Sequence, residues 1–152
     1  MKRLILILAL FFVIFILLCN LSCKQNKDGE LTKLSFSDYS LSGTSCLWNT
    51  IDMNKVIIIN SNKELEKYIN CNGENHPIVD FSQFTLLLVS GGTTSGISKI
   101  TKNVFKESNN IYILEVTVLL NLTTVAQGWS VAILIPKIHD NSVVTLNLMQ
   151  TY

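Results

Sequence analysis

Residues Phe84–Leu120 read FTLLLVSGGTTSGISKITKNVFKESNNIYILEVTVLL. Three apolar, β-branched runs are separated by two short stretches rich in Gly, Ser, Thr and Asn. Phe84–Val89 (FTLLLV) is apolar but for Thr85 and reads as a core strand. Ile97–Phe105 alternates loosely and faces Ile111–Leu120 across the turn Glu107-Ser108-Asn109-Asn110. Further along, Asn121–Gly128 reads as a loop and Trp129–Ile135 as a strand closed by Pro136. Asp140-Asn141 is a turn, and Ser142–Met149 is the last strand. Working back from Phe84, Asn54–Asn60 (NKVIIIN) is a buried strand bounded by Asn. Ser61 and Glu64 then have capping-box spacing, and Leu65, Tyr68 and Ile69 form one apolar helix face that Asn72-Gly73 ends. Strands joined by turns, with a single helix among them, predict a mainly β chain: a small antiparallel β-sandwich or barrel with one packed α-helix. No internal repeat is visible.

The N-terminus has a different character. Lys2 and Arg3 precede an unbroken apolar run from Leu4 to Leu18, followed by Cys19-Asn20-Leu21-Ser22-Cys23-Lys24. The run is shorter than the ~20 residues that cross a bilayer, although it just spans when Cys19, Asn20 and Leu21 are added. A basic start, an apolar middle and a small residue before a cysteine make a secretory signal. The stretch resembles a bacterial lipoprotein signal. That resemblance implies acylation of Cys23, which follows the small Ser22, and a polar segment from Lys24 onward. Cys19 follows the bulky Leu18 and fits less well. The expected division is a signal peptide over 1–22, a tether over 23–45 and a β-rich protein-binding domain over 46–152. One short strand is expected within the tether, near Leu31–Phe36. An exported, lipid-anchored protein of the outer membrane or cell surface follows from this reading.

Beyond the signal the chain keeps ten Lys, no Arg and eleven acids, so it is nearly neutral. An arginine-free, neutral domain lacks the bidentate donors and net positive field that nucleic-acid binding needs. Cys46 and Cys71 are then the remaining cysteines. In an oxidising compartment a Cys46–Cys71 disulfide is the simplest account, with two free buried thiols as the alternative. His76 and His139 show no Cys/His ligand spacing, so no metal and no cofactor is expected.

Catalytic patterns are weak. Gly91 and Gly96 have half of a phosphate-loop spacing, but Ile97-Ser98 stand where Lys and Ser/Thr belong, and a strand follows instead of a helix. There is no G-x-S-x-G, and Asp80, Glu107, Glu115 and Asp140 are scattered without a paired arrangement. The chain is therefore expected not to be an enzyme. The loop Gly91-Gly92-Thr93-Thr94-Ser95-Gly96 offers backbone groups without bulky side chains, suited to entering a cleft; the alternative is an ordinary hairpin connection. Asn121–Gly128 carries apolar residues without an obvious strand partner. Trp129 follows it, as a core filler or, if exposed at the loop base, as a contact residue.

Val79-Asp80-Phe81-Ser82, the strand Thr85–Val89, Gly91-Gly92 with Thr94-Ser95-Gly96, and the strand Trp129–Pro136 resemble the C-terminal domain of PrcB, an accessory lipoprotein subunit of a bacterial surface protease complex. The whole chain is similar to small Bacteroides-type lipoproteins. Gly92-Thr93-Thr94 is also similar, more loosely, to the binding loops of loop-inserting cysteine-protease inhibitors. With the Gly/Thr/Ser loop and the missing catalytic pattern, the resemblance implies an envelope protein that binds another protein through the loops around Gly91–Gly96 and Asn121–Gly128, with Trp129 among the contact residues. A secreted or surface protease is the partner class, either inhibited or assisted. A structural or small-ligand (carbohydrate or lipid) binding envelope lipoprotein is the alternative.

Overall fold

The computed structural model describes residues 31–73 and 76–152. The expected signal peptide (1–22) and the expected lipidation site Cys23 lie outside the described residues. Eleven elements follow in order: β1 (Thr32–Leu34), β2 (Ser37–Asp38), β3 (Cys46–Trp48), β4 (Ile57–Ile59), α1 (Asn62–Leu65), β5 (Ile69–Cys71), β6 (Phe84–Thr93), β7 (Ile97–Lys106), β8 (Ile111–Leu120), β9 (Gln127–Pro136) and β10 (Val143–Thr151). They form one sheet in the order β1-β7-β8-β10, a second in the order β2-β9-β6-β4, and a two-stranded ribbon β3-β5. The described residues are mainly β with one short helix, as the strand–turn pattern predicts.

Strand β6 explains the layering. Its run Thr85–Val89 is buried on both faces, so it needs cover on both sides. Leu87 and Val89 join Trp129, Val131, Ile133 and Ile135 of β9 against Val104, Leu114, Val116 and Val118 of the first sheet. Leu86 and Leu88 face the other way, onto Ile59, Leu65, Ile69, Cys46, Tyr39, Leu41 and Val79. The molecule thus has three layers: sheet, sheet, and a cap made of α1, the ribbon and the loops around them. Each fully buried Leu or Ile contributes about 1.5–3 kcal/mol of transfer free energy. Strand β8 alternates buried and half-exposed residues instead, because only one face of its sheet is covered.

Three features differ from the sequence reading. The helix ends after Leu65, and Ile69–Cys71 is a strand. Ser61 caps the helix as expected, its Oγ accepting from Glu64 N–H at 3.3 Å, whereas Glu64 Oε2 accepts from Asn60 N–H at 2.7 Å, one residue before the cap, so the box closes on its neighbour. Leu65 and Ile69 do share a buried face, but Ile69 reaches it from a strand paired with Trp48. Spacing of four residues does not distinguish these two routes to the core.

The second difference concerns the tether. Residues from Thr32 onward already belong to the domain: β1 pairs with β7, β2 pairs with β9, and Tyr39 and Leu41 are core side chains. Lys102 of β7 also pairs with Asp38 of β2, joining the two sheets at this edge. The third difference is that β8 and β10 run parallel. Strand β9 lies between them in sequence but in the opposite sheet, so the chain crosses twice and returns in its original direction.

Cys46 and Cys71 are bonded, directly opposite each other in the ribbon. Closing a 25-residue separation stabilises by about 3 kcal/mol through loop-closure entropy.

Candidate functional site

The segments Gly91–Gly96 and Asn121–Gly128, singled out from the sequence as loops, lie together at one end of the sandwich. Gly91, Gly92 and Thr93 are strand residues, opposite Trp129, Gly128 and Gln127 of β9. Gly91 is required by the ring across from it. A Cβ there would overlap Trp129 Cζ2 and stand 2.6 Å from Cε2. The indole lies directly on the Gly91 backbone and is buried, 7% exposed. Trp129 is therefore a core side chain, the first of the two roles its sequence context allows.

Thr94–Gly96 make the crossing from one sheet to the other, and they are fastened on every side. The Thr93 hydroxyl donates to Ser95 O. Ser95 Oγ and Tyr152 OH are 3.0 Å apart and hydrogen-bonded. Gly96 N–H donates to Thr123 O at 3.1 Å, and Asn121 N–H donates to Gly96 O at 2.9 Å. Ile97 N–H donates to Gln127 Oε1 at 2.8 Å. A Cβ on Gly96 would overlap Thr123 Oγ1 and stand 2.6 Å from Asn121 Oδ1, so glycine lets the second loop pack on the first. That second loop opens with an Asx turn, in which Asn121 Oδ1 accepts from Thr123 N–H at 3.0 Å and from the Thr123 hydroxyl at 2.6 Å.

Of the two loops expected to make contact, the geometry exposes the second and buries most of the first. Within 91–96 only Thr94 is exposed; Thr93, Ser95 and both flanking glycines Gly91 and Gly96 are buried. The side chains that reach solvent belong to 122–126. Leu122 is 92% exposed and Val125 66% exposed. Met53 and Tyr152, also largely exposed, stand at the same end: Met53 Sδ lies against Gly92, and Tyr152 holds Ser95. A shallow depression of about 470 Å³ lies among Met53, Gly92, Thr94, Ala126 and Gln150. The signal for Leu122 and Val125 was present in the sequence as apolar residues in a segment without strand alternation.

The titratable groups serve structure. His76 Nδ1 sits 3.4 Å from Tyr39 OH, which donates to Pro77 O at 2.9 Å. Burial pushes the Tyr39 phenol up to about 12. The Asp80 carboxylate accepts from the Ser82 hydroxyl at 2.6 Å, from Ser82 N–H and from Gln83 Nε2. These donors, the Ser82 hydroxyl foremost, hold its pKa below the usual carboxylate value. Lys137, Asp140 and Glu64 converge on Asn60, where Asn60 Oδ1 also accepts from the buried Thr85 hydroxyl at 2.6 Å. That network fixes the start of α1 to the β9–β10 connection. His139 is exposed and lends its carbonyl to Ser142 N–H. Among the described residues no group of His, Cys, Asp and Glu is placed to hold a metal ion, and no helix is long and apolar enough to cross a membrane.

No protein-family model, curated protein or solved structure matches the chain.

Proposed function

We propose that this chain is an exported, lipid-anchored, non-enzymatic module that docks a protein partner through the sandwich end bearing Leu122 and Val125. The observation that carries the reading is the contrast between these exposed apolar side chains and the fastened backbone beneath them. A loop already held in place loses little conformational entropy on binding, so its apolar contacts add to affinity with small ordering cost. Gly91, Gly92, Thr93, Ser95, Gly96 and Trp129 form the foundation of this surface, and Thr94 reaches solvent beside it. The partner class is a secreted or surface protease, engaged by cleft occlusion or subunit docking without covalent chemistry. The resemblance to the PrcB C-terminal domain supports that class, and Cys23 supplies the anchor.

The test is affinity capture from the native envelope with the exported chain as bait and identification of what it retains. A protease or protease-complex subunit is expected, lost when Leu122→Asp and Val125→Asp are combined. Retention of no protein, or of the same proteins by the double variant, overturns the reading.

A second reading, a small-ligand binding envelope lipoprotein, draws on one observation. A cleft of about 490 Å³ runs past Trp48, Ile51, Met53, Gly91 and Trp129, and the buried Trp129 Nε1–H has no hydrogen-bond partner among the described residues. A quench or shift of tryptophan fluorescence on adding oligosaccharides favours it; an unchanged spectrum disfavours it.

A further inference from the structure

Sheets end in edges, and three of the four edges in the two main sheets are blunted by length. Strand β1 has three residues, β2 two and β4 three. The fourth edge is β10, nine residues long, with the sequence VVTLNLMQT. It contains no charge, no proline and no bulge, and its pairing with β8 is continuous from Val143 to Thr151. Such an edge lacks the shortness, charge, proline and bulge that normally prevent strand addition.

The direction of its free backbone groups follows from one hydrogen bond. Val143 N–H donates to Asn110 O at 2.8 Å, on the β8 side. Backbone groups alternate along a strand, so those of Val144, Leu146, Leu148 and Gln150 turn to the open edge. Side chains alternate as well. Val144, Leu146 and Leu148 are half-buried, whereas Val143, Thr145, Asn147 and Met149 are exposed on the outer face.

We infer that β10 is a self-association edge that pairs antiparallel with β10 of a second copy of this chain, about a two-fold axis at Asn147. A two-fold on this residue keeps inner side chains opposite inner ones and outer opposite outer. Leu146 faces the other copy's Leu148, Thr145 its Met149, and Val143 its Thr151. The outward pairs Leu146–Leu148 and Val144–Gln150 each exchange two backbone hydrogen bonds. No like charges meet, because the strand carries none. Each copy uses the same strand, so the contact closes as a dimer and leaves no further β10 edge for growth. A second copy is favoured over a foreign strand by this self-complementarity in both pattern and charge.

Site-directed cross-linking of the full chain in its native membrane tests the inference, with single cysteine substitutions and a copper–phenanthroline oxidant. Asn147→Cys places two thiols opposite each other, about 5 Å apart at Cβ. It is expected to give a reducible band at twice the chain mass that the unsubstituted chain does not give. Thr145→Cys and Met149→Cys alone, each displaced from its own copy by about 13 Å along the strands, are expected to give none. Mixed together, they are expected to cross-link to each other. Adding Thr145→Lys and Met149→Lys to Asn147→Cys opposes lysines across the axis and is expected to abolish the band. Absence of the dimer band at position 147 overturns the inference. So does equal cross-linking at 145, 147 and 149, or a band joining Asn147→Cys to a different protein. These positions are solvent-exposed, so the substitutions leave the core intact.

Discussion

Replacing Gly91 by Ala tests whether the Trp129 ring dictates the residue beneath it. Gly91 sits in a regular strand, with no positive φ, unlike Gly43 and Gly73. Backbone preference alone therefore favours alanine, by about 0.5–1 kcal/mol in a strand interior. Against this stands the overlap with Trp129 Cζ2 and the 2.6 Å approach to Cε2. Relief requires the buried indole to shift within a packed core, which costs about 1–3 kcal/mol. The ring wins, and Gly91→Ala destabilises by about 1–2 kcal/mol net. In a Trp129→Leu background the overlapping ring atoms are gone, and the remaining close neighbour, Asn54 Oδ1 at 3.0 Å, is the end of a side chain that can turn away. The same alanine then becomes neutral or mildly stabilising, even though Trp129→Leu is itself costly through the cavity it leaves. The difference between the two backgrounds is a coupling energy of about 2 kcal/mol. Urea unfolding followed by far-UV circular dichroism measures it without relying on tryptophan as the probe. A Gly91→Ala cost that is the same in both backgrounds, or within about 0.5 kcal/mol of zero with Trp129 present, refutes the reasoning.

Reducing the Cys46–Cys71 bond, or replacing both cysteines by Ala, lowers stability by about 3 kcal/mol, read as a lower urea midpoint, while β6–β9 pairing survives in the amide-exchange pattern. Gly96→Ala displaces Thr123 and Asn121, and is expected to reduce partner capture more than it reduces melting temperature. Tyr39 is held protonated in the folded state up to about 12 against an ordinary 10.0. Its contribution is complete below 10.0 and is lost as pH climbs towards 12, so alkaline unfolding should lose that component in Tyr39→Phe. Asp80 behaves in the opposite sense. Its folded pKa lies below 3.8, so its contribution is present above that value and disappears as pH falls through the folded pKa. A carboxyl NMR titration with a midpoint at or above 3.8 contradicts the Ser82 and Gln83 contacts.

The strands could be read directly because their signals are local. The β-branched run 56–59, the largely apolar run 84–89 and the loose alternation of 97–105 are each visible within a few residues. Of the two sequence readings of Cys46 and Cys71, a disulfide and two free buried thiols, the structure holds the disulfide. What misled the reading was equally local. Leu65, Tyr68 and Ile69 have helical spacing, yet the chain leaves the helix at once because Ile69–Cys71 gains hydrogen bonds and a disulfide from β3. The polar composition of 23–45 suggested a tether, but Tyr39 and Leu41, placed singly, fill the third layer.

Sequence by itself determined the kind of element at most positions and the near-neutral charge. Tertiary structure alone decided that β10 runs parallel to β8, that Gly91 lies under Trp129, and that Leu122 and Val125 project while Thr93 and Ser95 do not. Periodicity records whether a side chain faces a core. It carries no information about which distant strand supplies that core, and burial at the sandwich end depends on contacts between residues thirty or more positions apart, such as Ile97 with Gln127 and Ser95 with Tyr152.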